Sequence, residues 1–478
     1  MTASDTAAAP RWTAREWGAL LVLCGALFLD GLDVSMVGVA LPSIEADLGL
    51  STTSLQWIVS GYVLGFGGLV LLGGRAADLL GRRKVFLTAV AVFTVASLIG
   101  GLVDDGTALI ATRFIKGVAA AFTAPAALSI ITTRFAEGPE RNRALAIYTA
   151  TGASGFSLGL VFGGLLTEVS WRLTFLMPVP FALLILLTAP RLIAKDEPAH
   201  HVDRRGFDLL GAVTIAATTL GFAFTIVSAP EVGWGSARTL MSLVGVALLL
   251  FAFVRIEQRA ADPLVRLGIL KSPPLVRANI TIAALFGSWC GFQFIGTLYM
   301  QQLLGWSPME MALAFLPAGL IVALGSTRVG PLVDRFGTTR MITAGITSMV
   351  VAYILFLGID TDTPYLTGML PTMLFAGAGF ALAFGPLNMA GTNGIADEEQ
   401  GLASGLITSS LQLGGAFGLA VTTAVISAGV DASDATGAAA ELDGYALGLF
   451  AAITIAAIGA VTMTTALVRR PSAHPATK

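Results

Sequence analysis

The chain has 478 residues, 55% of them apolar and 12% charged, with a formal net charge of −2. Soluble domains carry about 25% charged residues, so an ordinary solvated domain is excluded. The absence of a basic patch interleaved with aromatics excludes a nucleic-acid partner. The two cysteines, Cys24 and Cys290, both fall in apolar segments, so neither a disulfide framework nor a metal site is expected.

About 20 apolar residues cross the ~30 Å of a bilayer's hydrocarbon, and fourteen such segments follow one another. They are Trp17–Leu41, Leu55–Gly74, Val85–Val103, Thr107–Ile131, Ala144–Thr167, Leu173–Ala189, Leu209–Ala229, Thr239–Val254, Asn279–Gln302, Met311–Thr327, Met341–Ile359, Pro364–Asn388, Gly401–Val430 and Gly444–Val468. Twelve of them contain no charged residue. With both termini inside, 24 of the 28 Lys and Arg residues fall in inner tails and loops. Two, Arg172 and Arg238, are outside, and Arg113 and Lys116 lie within a span. Basic residues are retained in the cytoplasm, so this asymmetry sets the orientation and supports the count of fourteen. The first span is long and contains acids, and reads as a signal anchor, not a removed signal peptide.

The connections are short. The two longest inner ones, Pro190–Asp208 and Arg255–Ala278, carry prolines and charge and read as solvated linkers. A Walker-type Gly-Lys-Ser/Thr loop is absent, which argues against ATP as the energy source. One internal repeat is visible. Gly74, Asp78, Gly81 and Lys84 of the second inner loop recur 256 residues later as Gly330, Asp334, Gly337 and Arg340. Both copies join an inward-running span to an outward-running one, as in transporters built from parallel halves. The offset is eight spans, so Leu209–Ala229 and Thr239–Val254 are inserted between two six-span bundles. The expected organisation is therefore residues 1–190, an N-terminal bundle; 191–278, two inserted helices with linkers; and 279–478, a C-terminal bundle. Neither inserted span carries a strong polar anchor, and both are expected at the periphery.

Asp30 and Asp33 are the only acids within the spans, and they lie three apart on one helix face. An ionisable group at membrane depth is costly and is a functional candidate by default. Arg113 and Lys116 have the same spacing on the fourth span. At ~1.5 Å per residue, Asp33 lies about 12 Å below Leu41, and Lys116 about 13 Å below Thr107, so acids and bases share one depth band. A purely structural ion-pair network is the alternative.

The motifs resemble those of the major facilitator superfamily, and within it the fourteen-spanner drug:proton antiporter family. Leu32-Asp33-Val34-Ser35-Met36-Val37-Gly38-Val39-Ala40-Leu41-Pro42 resembles that family's first-span signature. Gly74 to Lys84 resembles the superfamily's Gly-x-x-x-Asp-x-x-Gly-Arg-Arg/Lys loop, and Arg113-Phe114-Ile115-Lys116-Gly117 its Arg-x-x-Gln-Gly, with Lys for Gln. Gly155, Gly159, Gly163 and Gly164 are similar to the antiporter glycine motif, with Leu160 where Pro is usual.

The resemblance implies a major facilitator fold, all-α, with fourteen transmembrane helices and cytoplasmic termini. It also implies that the first and fourth spans meet at the central cavity. Asp33, covered by the signature, is the favoured proton-coupling residue, with Asp30, Arg113 and Lys116 around it. Lys116 replaces the family's neutral Gln and Asp30 lies outside the signature, so these two are expected to pair. Gly74, Asp78, Gly81, Arg82 and Arg83 are implied to form a conformational latch. Asp334 would anchor a weaker second copy, because Thr338 and Thr339 stand where the arginine pair would be.

The C-terminal bundle has no charge within its spans. Gln293, Gln301, Gln302, Asn388 and Gln412 are its polar cavity candidates, with Trp289, Phe292 and Phe384 as apolar walls. Drug-sized ligands use pockets of that kind. The leading reading is a proton-coupled exporter of hydrophobic drugs or natural-product antibiotics. It would act as a monomer in the bacterial cytoplasmic membrane, with no cofactor and a proton gradient as energy source. The alternative is a carrier of a lipid, siderophore or other metabolite on the same scaffold. An enzyme is disfavoured, because His200, His201 and His474 all lie outside the spans.

Overall fold

The computed structural model describes residues 12–136, 139–195, 208–260, 263, 266–326, 328–395 and 399–468. Among them there is no strand, and sixteen α-helices follow in order. The first seven are α1 (Ala14–Leu48), α2 (Thr52–Leu80), α3 (Arg82–Gly100), α4 (Gly106–Arg134), α5 (Pro139–Val169), α6 (Arg172–Leu176) and α7 (Pro178–Leu192). Then come α8 (Leu209–Val232) and α9 (Ala237–Glu257). The last seven are α10 (Pro273–Leu298), α11 (Pro308–Ser326), α12 (Val329–Phe336), α13 (Thr338–Phe356), α14 (Leu370–Thr392), α15 (Gln400–Ala432) and α16 (Ala438–Val468). Fourteen spans are long and apolar enough to cross a membrane, α6 and α7 together making one of them. The expected count is met.

Helix ends differ from the expected spans for local reasons. α1 has 35 residues, about 52 Å at ~1.5 Å each, so its last turns lie beyond the hydrocarbon and carry Glu45 and Asp47. A capping box starts it, Thr13 accepting from the Glu16 amide while Glu16 accepts from the Thr13 amide at 2.7 Å. The sixth span is split before Pro178, which has no amide hydrogen to donate. The repeat is structural as well as sequential. Gly81 and Gly337 both adopt positive φ, 95° and 85°, where the chain turns from one helix into the next. In the second copy the inner turn also forms a separate short helix, α12.

Within the N-terminal bundle, α1 packs along α5 and α2 along α4; in the C-terminal bundle, α10 packs along α15 and α13 along α14. The antiporter-motif glycines make the first pairing possible. A Cβ on Gly159 would lie 2.6 Å from the Leu32 carbonyl oxygen, and one on Gly163 would lie 2.9 Å from Met36 Cα. Gly155 faces the Phe28 backbone. Gly164 points the other way, with Met309 Cα of α11 2.8 Å from its Cβ position. α5 is therefore close-packed on both sides, against α1 and against the other bundle.

The bundles meet along α5–α11 and α2–α15. One apolar core fills the C-terminal bundle and crosses into the outer half of the N-terminal one, joining Val39, Leu41 and Ile44 of α1 to Ile295, Leu298 and Met311. The inner half of the N-terminal bundle keeps a core of its own, including Leu20, Ile131 and Ala189. Polar ties reinforce the outer seal. Gln301 Nε2 donates to the Val39 carbonyl at 2.8 Å, and Gln302 donates to Glu45. Both glutamines lie on a single π-helical turn, Tyr299–Leu303. The bundles are thus closed toward the outside.

The inserted helices correct one expectation. Only α9 is peripheral, with 11% of its apolar stretch buried. α8 packs on α2 and α15 together, over the seam between the bundles. Gln56 Nε2 of α2 donates to the Val227 carbonyl at 3.1 Å, and Thr219 Oγ1 donates to the Gly68 carbonyl at 2.9 Å. The absence of charge permits a helix to face lipid without requiring it to, and its small residues and threonines suit it for packing.

Gly159→Leu should lower the thermal unfolding midpoint of the purified protein in detergent, because overpacking at the α1 backbone costs about 1–3 kcal/mol. Gly245→Leu on α9, where nothing lies within 4 Å of the Cβ position, should leave the midpoint in place. Equal melting of the two variants would show that the α1–α5 contact is not tight.

Candidate functional site

The site begins with a close approach of α2 and α4. Gly117 lies against the Tyr62 backbone, where no side chain would fit. That contact, with α1 alongside, brings Asp33, Arg113 and Lys116 together. Asp33 accepts from Arg113 through one carboxylate oxygen and from Lys116 through the other. All three are buried, none more than 1% exposed. A charge that deep needs a partner, and Asp33 is partner to both bases.

The other contacts of the bases complete the enclosure. Arg113 Nε donates to the Ile58 carbonyl of α2 at 3.0 Å, and its guanidinium lies 4.7 Å over the Tyr62 ring. The Lys116 ammonium sits 4.8 Å from the Phe93 ring of α3 and 5.2 Å from the Phe175 ring of α6. Cations are stabilised over aromatic faces, more so when desolvated. Asp30, one turn inward of Asp33, accepts from the Tyr62 hydroxyl. The four sequence candidates therefore do form one cluster, extended by Tyr62.

One pairing differs from expectation. Lys116 meets Asp33, and Asp30 meets a phenol. The helices cross so that both bases reach the outer of the two acids, and depth along the membrane normal could not resolve a difference of one turn. Tyr62, Phe93 and Phe175 were not among the candidates. A signal existed for Tyr62, because a phenol inside a span needs a hydrogen-bond partner and the chain has only six tyrosines.

The loop from Gly74 to Lys84 is described in part. Gly74 closes near Pro125 of α4, Gly81 makes the turn, and Arg83 donates to the Pro190 carbonyl of α7 at 2.7 Å. Arg82 opens α3. The side chain of Asp78 lies outside what the structure describes, so the latch has no geometry here. Asp334, in the second copy, is exposed.

Among the C-terminal candidates, Phe292 is corrected. It is fully buried among Phe315, Tyr353 and Phe356, with ring centroids 5.0–6.0 Å away, and belongs to the bundle core. Trp289 is also buried but reaches Phe380 at 5.7 Å, and Phe380 stacks on the partly exposed Phe384 at 5.3 Å. Gln301 ties the bundles together, as does Gln412, which is packed against Gly67 of α2. Gln293 is partly buried opposite Gly38 of α1, and Asn388 donates to the Phe384 carbonyl of its own helix at 2.8 Å. The rings of Trp289, Phe380 and Phe384 thus form one continuous aromatic row in this bundle.

Comparison with known proteins agrees with this architecture. Residues 23–419 match the family model of the Major Facilitator Superfamily. The chain is 39% identical over 422 residues to the cephamycin export protein CmcT of Amycolatopsis lactamdurans, covering 87% of this chain and 86% of that one. It is 36% identical over 464 residues to the puromycin resistance protein pur8 of Streptomyces alboniger, covering 95% and 90%. Among solved structures, the POT family transporter PepTSo superposes with a TM-score of 0.70 at 15% identity, over 96% of this chain and 100% of that one.

The observed pairing makes a testable distinction. Removing one partner of a buried ion pair costs about 3–5 kcal/mol, so Asp33→Asn and Lys116→Gln should each lower the melting temperature in detergent. Combined, they should cost much less than the sum of the two. Asp30→Asn combined with Lys116→Gln should be close to additive. Strong coupling in the second pair and none in the first would mean that Lys116 belongs to Asp30.

Proposed function

Since the chain belongs to the major facilitator superfamily, we propose that it is a secondary exporter that exchanges protons for antibiotic-like small molecules. The observation that carries this reading is the buried Asp33–Arg113–Lys116 cluster. Ionised groups are expensive in a membrane interior, and those retained there mark proton or substrate paths. Kinship points to the cargo. The relatives named above export cephamycin or confer puromycin resistance, and others at 33% and 30% identity are a lincomycin resistance protein and a tetracenomycin C resistance and export protein.

The two bundles divide the work. The N-terminal bundle holds the charges, drawn from α1 and α4 and enclosed by α2, α3 and α6. The C-terminal bundle supplies an aromatic row and scattered amides, and its spans hold no charge. The proton gradient is the energy source, and no cofactor takes part. With the outer ends sealed, substrate is taken up from the inner side. Rocking about the α5–α11 and α2–α15 contacts then has to break the Gln301 and Gln302 ties to release it outside. The glycine-rich faces of α5 suit such a motion, because smooth surfaces slide without unlocking side chains.

Inverted membrane vesicles containing the protein should accumulate at least one of puromycin, cephamycin, lincomycin and tetracenomycin C when a pH gradient is imposed. A protonophore should abolish the uptake. Asp33→Asn, compared at equal amounts of folded protein in the membrane, should fail to accumulate the same compound. Uptake that is unaffected by collapsing the gradient would overturn proton exchange.

A further inference from the structure

We propose that Asp30, held by Tyr62, is the carboxyl that takes up and gives up the exchanged proton, while Asp33 stays ionised as the standing counter-ion of Arg113 and Lys116. This rests on the proton-exchange reading above and changes which of its residues carries the proton.

The assignment follows from what each carboxyl touches. Both cationic contacts go to Asp33. A proton on Asp33 would break both ion pairs and leave two buried cations with only the non-contacting Asp30 carboxylate to balance them, a penalised state in a low-dielectric interior. A proton on Asp30 breaks no ion pair, because its hydrogen-bond partner is the Tyr62 hydroxyl. The ionised carboxylate accepts from the phenol. Once protonated, its O–H can donate to the same phenol oxygen, which is both donor and acceptor. The pair thus keeps a hydrogen bond in both states. Uptake moves one proton from a hydronium ion to a carboxylate oxygen and leaves water; release reverses it.

Access makes the same distinction. Asp33 is completely buried. Asp30 is part of the wall of a pocket also lined by Ala26, Val90, Thr123, Ala124 and Tyr148, with no residue of the C-terminal bundle among those lining it. The pocket lies on the inner side of the ion cluster, since Asp30 is one turn inward of Asp33 on a helix that starts inside. α1 contributes Asp33, α2 Tyr62, α4 Arg113 and Lys116, and α5 Tyr148, while α3 contributes only Val90 and Phe93. The Thr123 hydroxyl is committed to the Ala119 carbonyl at 2.9 Å.

The Tyr62 ring connects the two carboxyls. Its hydroxyl holds Asp30 and its face carries the Arg113 guanidinium. With Asp30 ionised, two acids balance two bases. With Asp30 protonated, the cluster holds one uncompensated positive charge, which favours a rearrangement of α4 relative to α1 and α2. Proton occupancy is thereby converted into a bias on helix position.

Infrared difference spectroscopy of the full-length protein in lipid, stepped between neutral and acidic pH, tests this. Wild type should show a protonated-carboxyl stretch that appears as the pH falls. Asp30→Asn should lose it, Asp30→Glu should restore it at a shifted frequency, and Tyr62→Phe should move its midpoint. Ala124→Leu, which fills the pocket, should slow the shift of that band on transfer to heavy water. A band that survives in Asp30→Asn, or no titrating band in wild type, overturns the assignment. Exchange in Ala124→Leu as fast as in wild type overturns the pocket as the route. Wild-type uptake from the antibiotic panel, measured in parallel, separates the two readings. Gradient-independent uptake sinks proton exchange itself, whereas gradient-driven uptake with a surviving band sinks only Asp30.

Discussion

An ionised carboxylate buried between two cations inside a membrane helix bundle is the constraint around which the rest of this structure is arranged. Asp33, Arg113 and Lys116 have no access to water, so each depends on the others for charge compensation and on neighbouring groups for its remaining hydrogen bonds. The Ile58 carbonyl satisfies one arginine N–H. Phe93 and Phe175 close over the lysine. Three helices must meet at one depth for this to hold, and that requirement dictates where residues without side chains are needed. Gly117 lets α4 reach the Tyr62 backbone, and Gly155, Gly159 and Gly163 let α5 support α1 from behind. The glycine motif and the charge cluster are two parts of one packing solution.

The division between bundles follows from the same constraint. Charged groups concentrated in one bundle can change state without disturbing the packing of the other, provided the two move as rigid bodies. The contacts between bundles fit that picture. They include an apolar seam at the outer side, two glutamine ties from a π-helical turn, the small-residue contacts of α5 with α11, and the packing of α2 on α15. The inserted hairpin adds an asymmetry. α8 is hydrogen-bonded to α2 at two carbonyl sites and also lies against α15. One of the two seams therefore has a helical cover, while α9 behind it faces lipid.

Much of the architecture was legible in the amino-acid sequence because the bilayer simplifies the physics. Long apolar runs must be helices, since no water is present to satisfy an open backbone, and the placement of Lys and Arg orients them. The 256-residue repeat identified two equivalent turns, and Gly81 and Gly337 prove to be the residues that make those turns by adopting positive φ. The four intramembrane charges stood out because such residues are rarely tolerated without a function. Phe292 and Tyr62 show the limit. Both are aromatic residues in apolar spans; the Tyr62 phenol signalled that a hydrogen-bond partner was needed, but nothing in the pattern said which group that partner was, or that Phe292 was core.

Chemistry and depth were thus determined by the sequence alone: fourteen crossings, their direction, two acids and two bases at one level, and a second bundle without charge in its spans. Partnership was decided by tertiary structure. Whether Lys116 meets Asp30 or Asp33 depends on how α1 and α4 are rotated and crossed, a matter of one helical turn, which spacing along a single helix cannot specify. Whether an uncharged helix faces lipid or a protein seam depends on the shape complementarity of its surface, and so α8 and α9, alike in having uncharged spans, occupy different environments. Long-range side-chain contacts are properties of two surfaces at once, and a linear pattern describes each surface only by itself.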